Sequence, residues 1–437
     1  MDNNLENTLD LVFDLLKKQK ITAFEFSLGM DKRISTAVRL GNVESLQNHI
    51  NQEFNITVYN GKKKGNASSG DLATESILNT INSASLIAQY TSEDKFLGFA
   101  PKKEMAWDIP NLDLYHPWDL SAQDSIELAL ACEGSALNNP KITNSEGAEI
   151  SSVAGSSYYA NSLDLVLNHK YSNHSLHCGV IAKGNNEMQN AYDYSIALDK
   201  NDLVDGTLIG KNAAETAIKK LNSQKLNSQK CPIIIAAELS SGLFANFFSA
   251  ISGAKQYNKT TFLYQAINNK IFPDWLSIQE NPFEKKTIGS LAFDTDGVKT
   301  RKQYFIKDGS LERYMLSQYS ANQLGLKTTA NAGGVHNVSI TNQQLTQDDL
   351  IKKMDKGILV TELMGQGVDI TTGNYSRGAL GFWVENGQIQ YPVSGFTIAG
   401  NLKEMFLNII AISDDIDSRK NIKVGSVLID NMSIAGE

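Results

Sequence analysis

Histidine is the side chain most readily recruited for metal ligation and for proton transfer near neutral pH. This chain carries six: His49, His116, His169, His174, His177 and His336. A helical zinc centre of the hydrolytic type needs two imidazoles about one turn apart. It also needs a glutamate beside the first, to take a proton from the metal-bound water. No His-Glu dipeptide occurs anywhere in the sequence. His169-Lys-Tyr-Ser-Asn-His174, followed by His177-Cys178, has the right spacing between imidazoles. Lys170, however, stands where the general base belongs, and its charge opposes a bound cation. The segment also alternates as a strand does, so it is read as polar and aromatic residues on a strand pair. The sequence thus assigns this chain no catalytic residue, no metal ligand and no cofactor of its own.

Other local patterns carry less. Asp294-Thr-Asp296-Gly297 begins like a calcium loop, but no carboxylate follows where an EF-hand needs one, and it is read as a turn. Gly65-Asn-Ala-Ser-Ser-Gly70 lacks the Gly-Lys-Ser/Thr ending of a phosphate loop. The three cysteines, Cys132, Cys178 and Cys231, have no CxxC spacing and read as reduced, buried thiols of a cytoplasmic protein. In a strand His177 and Cys178 point to opposite faces, which argues against a thiol nucleophile beside that imidazole. Ser-His-Asp triads assemble only in space, and the sequence leaves them open.

The elements that would position any site follow from periodicity. The first residues place Leu9, Leu11, Val12, Leu15 and Leu16 at helical spacing behind acidic residues, unlike a signal peptide. Residues 22–60 alternate as strands. A helix beginning at Asp71 carries Ile77, Ile81, Ala84 and Ala88 on one face, and residues 92–118 form a connector. Ser121 and Asp124 cap a second helix, alternation returns over 148–182, and a helix covers 211–221. Leu221-Asn-Ser-Gln-Lys225 is repeated as Leu226-Asn-Ser-Gln-Lys230, which suggests a surface linker. Beyond it come an apolar strand at 232–237 and a helix at 238–251 with Leu243, Phe247, Phe248 and Ile251 inward. Strand and turn follow, with a hairpin at Asp308-Gly309 and a closing helix at 402–412.

The fold class is α+β: a mixed N-terminal α/β part over 1–220, divisible into 1–95 and 96–220, a linker at 221–230 and a strand-rich C-terminal domain at 231–437. A formal charge of −8 argues against the basic face that direct nucleic-acid contact requires, and basic runs are short, Lys62-Lys63-Lys64 being the densest. No run of 18 apolar residues offers a membrane span.

The run VTELMGQGVDITTGNYSRGALGFWVENGQIQYPVSGFTIAGNLKEMF, Val360 to Phe406, resembles the PmbA (TldE) branch of the TldD/PmbA family. So do TAVRLGNVESLQ, NITVYNGKKKGNASSGDL, CEGSALNNPKITNSEGAEISS and FDTDGVKTRKQYFIKDGSLERYMLSQYSANQLGLKTTANA. The resemblance implies a zinc peptidase described also as a modulator of DNA gyrase. In it, a TldD-type subunit carries the metal motif and the PmbA branch supplies the second half of the cleft. The helix that bears the motif in the metal branch reads AAELSSGLFANFFSAISG here, Ala236 to Gly253. Glu238 remains, Ser and Gly stand in the area of the histidines, and Glu238 suits a helix N-terminus electrostatically. Met188–Tyr194 and Ala411–Asp415 depart from the branch's usual pattern.

The resulting expectation is a subunit without metal, paired with a TldD-type subunit holding zinc, able to form a homodimer in isolation and docking extended peptides by strand addition. Glu362, Gly365, Gly367, Asn374 and Arg377 are the candidate groove or dimer contacts, against the plainer roles of turn glycines and a surface ion pair. A peptide-binding adaptor without proteolysis, and an independent hydrolase with an unrecognised nucleophile, are the alternatives.

Overall fold

The computed structural model describes residues 2–185 and 187–436. The N-terminal part contains α1 (Asp2–Leu16), β1 (Ala23–Arg39), β2 (Asn42–Asn60), β3 (Lys63–Ser69), α2 (Thr74–Tyr90) and α3 (Ala122–Leu137). It continues through β4 (Ile142–Asn161), β5 (Val166–Lys183), β6 (Met188–Ala197) and α4 (Gly206–Lys219). Its six strands make one antiparallel sheet in the order β3-β2-β1-β4-β5-β6. Even-numbered residues of β1 face the helices along its whole length. Phe26, Leu28 and Met30 pack with α1 and α2, and Ile34 and Val38 with α3 and α4. All four helices therefore cover one face.

The C-terminal part begins with β7 (Gln229–Ile235), α5 (Ala237–Ala250), α6 (Gly253–Asn258), β8 (Ile278–Glu280), β9 (Gln303–Lys307) and β10 (Ser310–Leu311). Next come α7 (Gln318–Leu324), β11 (Val338–Ile340), α8 (Gln347–Met354), β12 (Gly357–Met364) and β13 (Asn374–Glu385). It ends with β14 (Gln388–Asn401), α9 (Leu402–Leu407), β15 (Ile409–Ile412), β16 (Ile422–Lys423) and β17 (Val427–Ala435). One sheet runs β14-β13-β12-β7-β17-β15, and a further β14–β17 pairing closes five of these strands into a ring. Both faces of β7 are buried, Ile233 and Ile235 in one core and Ile234 in another, which explains its unbroken apolar run. The larger core gathers Phe244, Phe247, Phe272 and Phe406, with ring centroids 4.8–6.3 Å apart. Each such buried ring contributes about 2–3 kcal/mol.

Several elements differ from the sequence reading. The repeat at 221–230 exposes Asn222, Gln224, Lys225, Asn227, Ser228 and Lys230, but it is anchored rather than loose. Leu221 and Leu226 are buried, Gln224 bridges to Val393, and the second copy runs directly into β7. The leucine that opens each copy is the residue that packs. The helix placed at 402–412 stops at Leu407, because β-branched Ile409 and Ile412 enter a strand paired with β17. α4 starts earlier, where the Asp205 carboxylate accepts from the Thr207 N–H. Asp71 lies ahead of α2, accepting from the Ala73 N–H at 2.9 Å. α8 went unread although Thr346 and Asp349 form its capping box.

The face of the N-terminal sheet away from its helices meets the connector and the C-terminal part. Ala100, Met105 and Leu112 of the connector pack between Leu165 and Leu167 and the segment carrying Phe293 and Val298. Beside them lies a cavity of about 570 Å³, bounded by Glu25, Tyr159, His169, Phe293 and Asp294 among others. Glu25 accepts from the hydroxyls of Tyr59 (2.6 Å) and Tyr159 (2.9 Å). Burial raises its pKa above the usual carboxylate range, opposed by these bonds. Asp294 accepts from the N–H groups of Asp296, Val298 and Ala332. Burial, then the neighbouring Asp296, pushes Asp294 up to about 7. His169 is lowered by burial.

Two predictions follow from these groups. A carboxyl raised in the folded state adds stability below its unfolded pKa, which is lost as pH rises through the folded value. For Asp294 that window runs from about 4 to about 7, so melting temperature should fall across it. Asp294→Asn should flatten that descent, checked by thermal melts of both proteins over this range. Glu280, 1% exposed, accepts from Gln303 Nε2 (2.7 Å), Asn331 Nδ2 (2.9 Å) and the His336 N–H (2.8 Å). Glu280→Gln replaces one of these acceptor oxygens with an amide donor facing other donors and should cost about 2–4 kcal/mol in denaturant unfolding.

Candidate functional site

α5 begins without a side-chain cap of its own, since Ala236 precedes it. The missing acceptor comes from far along the chain: Ser426 Oγ accepts the Ala237 N–H at 3.1 Å. Asp415 in turn holds Ser426, accepting from its N–H (2.8 Å) and its hydroxyl (2.7 Å). Gln347 Nε2 donates to the same hydroxyl at 2.9 Å. The start of α5 is therefore fixed by a polar knot assembled from three distant segments.

Around this end lies a set of charges that sequence spacing did not reveal. Lys220 Nζ, almost buried, donates to Glu362 Oε2 (2.8 Å) and to the Asn190 carbonyl (3.0 Å). Arg419 donates to Asp417 (2.7 Å), Asp193 (3.2 Å) and the Tyr194 carbonyl (3.2 Å), and its guanidinium sits 4.2 Å from the centre of the Tyr194 ring. Burial opposes the charge of Arg419, but Asp417, Tyr194 and Asp193 outweigh it and hold its pKa above the ordinary value. Lys420 Nζ donates to the Glu238 carbonyl and lies 3.8 Å from Asp417. β6 and the 417–420 segment thus meet beside α5, joining one departing stretch of sequence, Met188–Tyr194, to the segment that follows the other.

The side chains of α5 do not suit a divalent ion. Glu238 is exposed in the first turn, while Ser240 is buried with its hydroxyl donating to the carbonyls of Ile235 and Ala236. No imidazole lies between His177 and His336 in sequence. Among the described residues no cluster of three or more His, Cys, Asp or Glu is arranged for a metal. His169 and His174 sit on opposite faces of β5. His174 is buried between Ser152 Oγ and the His116 carbonyl, both at 2.9 Å from its ring nitrogens. His336 is spent on Glu280. The thiols are buried, and Cys132 is raised by its hydrogen bond with Cys178 and by burial, so it offers no thiolate. Burial alone lifts Cys231 to about 11.

All five candidate contacts fall on the β12–β13 hairpin, Glu362 on β12 opposite Leu380. Gly365 has φ +79°, and a Cβ on Gly367 would come within 1.9 Å of the Ser376 carbonyl oxygen, so both positions require glycine. Asn374 accepts from Asn401 Nδ2 at 3.3 Å, and its carbonyl accepts the Asp369 N–H at 2.9 Å. Arg377 does not pair with Glu362. It donates to the carbonyls of Met364 (3.2 Å) and Leu363 (3.3 Å), bracing the exposed turn, while Glu362 turns to Lys220.

Among the described residues no helix is long and apolar enough to cross a membrane. Three family models match in order: the PmbA/TldA metallopeptidase domain 1 at residues 25–88, central domain at 115–221 and C-terminal domain at 228–436. The Escherichia coli O157:H7 metalloprotease PmbA is 44% identical over 97% of this chain and 94% of its own length. A PmbA homologue from Buchnera aphidicola of Acyrthosiphon pisum is 42% identical over 99% and 96%. A Bacteroides thetaiotaomicron structure, named as a proposed modulator of a DNA gyrase, superposes with a TM-score of 0.94 at 25% identity over the whole of both chains. TldE from Thermococcus kodakarensis superposes at 0.81 and 20% identity, again over both whole chains. Matched in all three domains and along nearly its full length, this chain belongs to the PmbA/TldD metallopeptidase family.

Proposed function

We propose that this chain is the subunit without metal in a two-subunit zinc peptidase of the TldD/PmbA type, acting on peptides and unfolded proteins. The observation that carries the reading is the first turn of α5. An exposed Glu238 stands there alone, with Ser240 turned inward and Gly242 after it, so the turn lacks the imidazole pair a zinc ion requires. A TldD-type partner would supply the ion, the activated water and the base. This chain would supply a wall of the cleft, with the exposed 364–374 turn, held rigid by its own hydrogen bonds, projecting as a contact surface for the peptide. The family's association with DNA gyrase would then act through peptide processing, since a charge of −8 does not favour direct DNA contact.

The test is peptide cleavage by this chain alone, by a TldD-type subunit alone and by the mixture, each with and without chelator. Activity confined to the mixture and abolished by chelator is expected, together with substoichiometric zinc in this chain by elemental analysis. Chelator-resistant cleavage by this chain alone would sink the proposal. Arg377→Ala unbraces the Leu363 and Met364 carbonyls, each held by a charged hydrogen bond. It should raise KM of the mixture about tenfold with little change in melting temperature.

A further inference from the structure

The cavity against the helix-free face of the N-terminal sheet has no part in the reading above. Its volume, about 570 Å³, is that of a small-molecule site rather than a packing fault. Among the described residues its lining holds three carboxyl groups, Glu25, Glu53 and Asp294, and neither lysine nor arginine. Lys64, a cation that acts on Glu25, stands outside it, over the Tyr319 ring. His169 lines it too, but burial lowers its pKa and favours the neutral imidazole. Sheet register brings one acid onto the floor. Glu53, Gly29, Ser157 and His169 form a single row across β2, β1, β4 and β5. A Cβ on Gly29 would come within 2.9 Å of Glu53 Oε1, so the missing side chain lets this carboxylate lie across the sheet. No hydrogen bond or ion pair holds it among the described residues. The neighbouring amides add acceptors for a separate reason. Asn55 Nδ2 donates to Ser27 Oγ (3.2 Å) and Asn66 Nδ2 to Thr57 Oγ1 (2.6 Å), which leaves both Oδ1 atoms without a donor among the described residues.

We infer that this cavity binds a primary ammonium group on an unbranched alkyl stem. The ammonium donates to Glu53 and to the Asn55 side-chain carbonyl, two positions along the same face of β2, and the stem lies against Tyr159 and Phe293. An ammonium brings three donors, no acceptor and the positive charge that the lining lacks. A bare metal ion fits less well, because among the described residues no three His, Cys, Asp or Glu converge to hold one. A lysine side chain and a free polyamine share the required chemistry. The inference does not rest on the peptidase reading.

Titration calorimetry of the full chain tests this, using the diamine cadaverine, its diol counterpart, and an acetylated pentapeptide bearing one lysine. Saturable binding of an amine and none of the diol is expected. Tighter binding of the peptide assigns a lysine side chain, and tighter binding of cadaverine a free polyamine. Glu53→Gln should weaken the amine about tenfold or more at an unchanged melting temperature, since the acid makes no bond within the chain. A bound cation favours the ionised form of nearby carboxyls, so binding at about pH 6.5 should release protons, read as a heat that varies with the ionisation enthalpy of the buffer. Asp294→Asn should diminish that release. Absence of amine binding, equal binding of the diol, or an amine affinity unchanged in Glu53→Gln overturns the inference. Amine binding without proton release overturns it as well, because the ligand then sits elsewhere.

Discussion

A carboxylate removed from water must be met by donors, and this fold uses that demand to pin chain that regular structure does not hold. Glu133 on α3, 1% exposed, accepts the N–H groups of Leu40 and Gly41 at 2.8 and 2.9 Å and clamps the tight β1–β2 turn. Glu280 gathers the 329–336 loop, Asp294 closes its own turn and ties it to Ala332, and Asp415 supports the hydroxyl that caps α5. In each case at least one backbone N–H donates to the acid, and for Glu280 and Asp415 side chains supply the other donors. The acid therefore acts on the path of the chain rather than on an opposite charge. Long stretches between 260 and 340 can then be irregular and still packed.

This explains what could be read in advance and what could not. The N-terminal helices and strands were legible because burial there follows period 3.6 or period 2: Ile77, Ile81, Ala84 and Ala88 all lie inside, as do Leu243, Phe247, Phe248 and Ile251. Asp308-Gly309 was legible as a turn because both residues adopt positive φ. Asp294-Thr-Asp296-Gly297 was recognised only as a turn, since the burial of its acids depends on a sheet more than a hundred residues away in sequence. Lys220, Asp193 and Arg419 gave no signal, because their partners meet only after the two parts of the chain have packed together.

The surroundings of α5 are a scaffold whose chemistry lies in alignment rather than in ligands. The helix is aimed by Ser426 and Asp415, and its flank is tied to β6 by Arg419 and to α4 by Lys220. Arg419 stacks on Tyr194 while reaching two carboxylates, a geometry a lysine would not reproduce. The departures from the family pattern fall beside this junction.

The C-terminal ring has a feature with a temporal meaning. Its first strand, β7, lies between β12 and β17, and β17 is the last strand of the chain. Ser228 and Gly436 bond to each other across 208 positions. During synthesis β7 leaves the ribosome early and waits, apolar on both faces, until the final residues emerge to close the ring. Such distant pairing folds slowly and exposes the strand meanwhile. Removing β17 would take one partner from each of β7, β14 and β15 and leave the ring open.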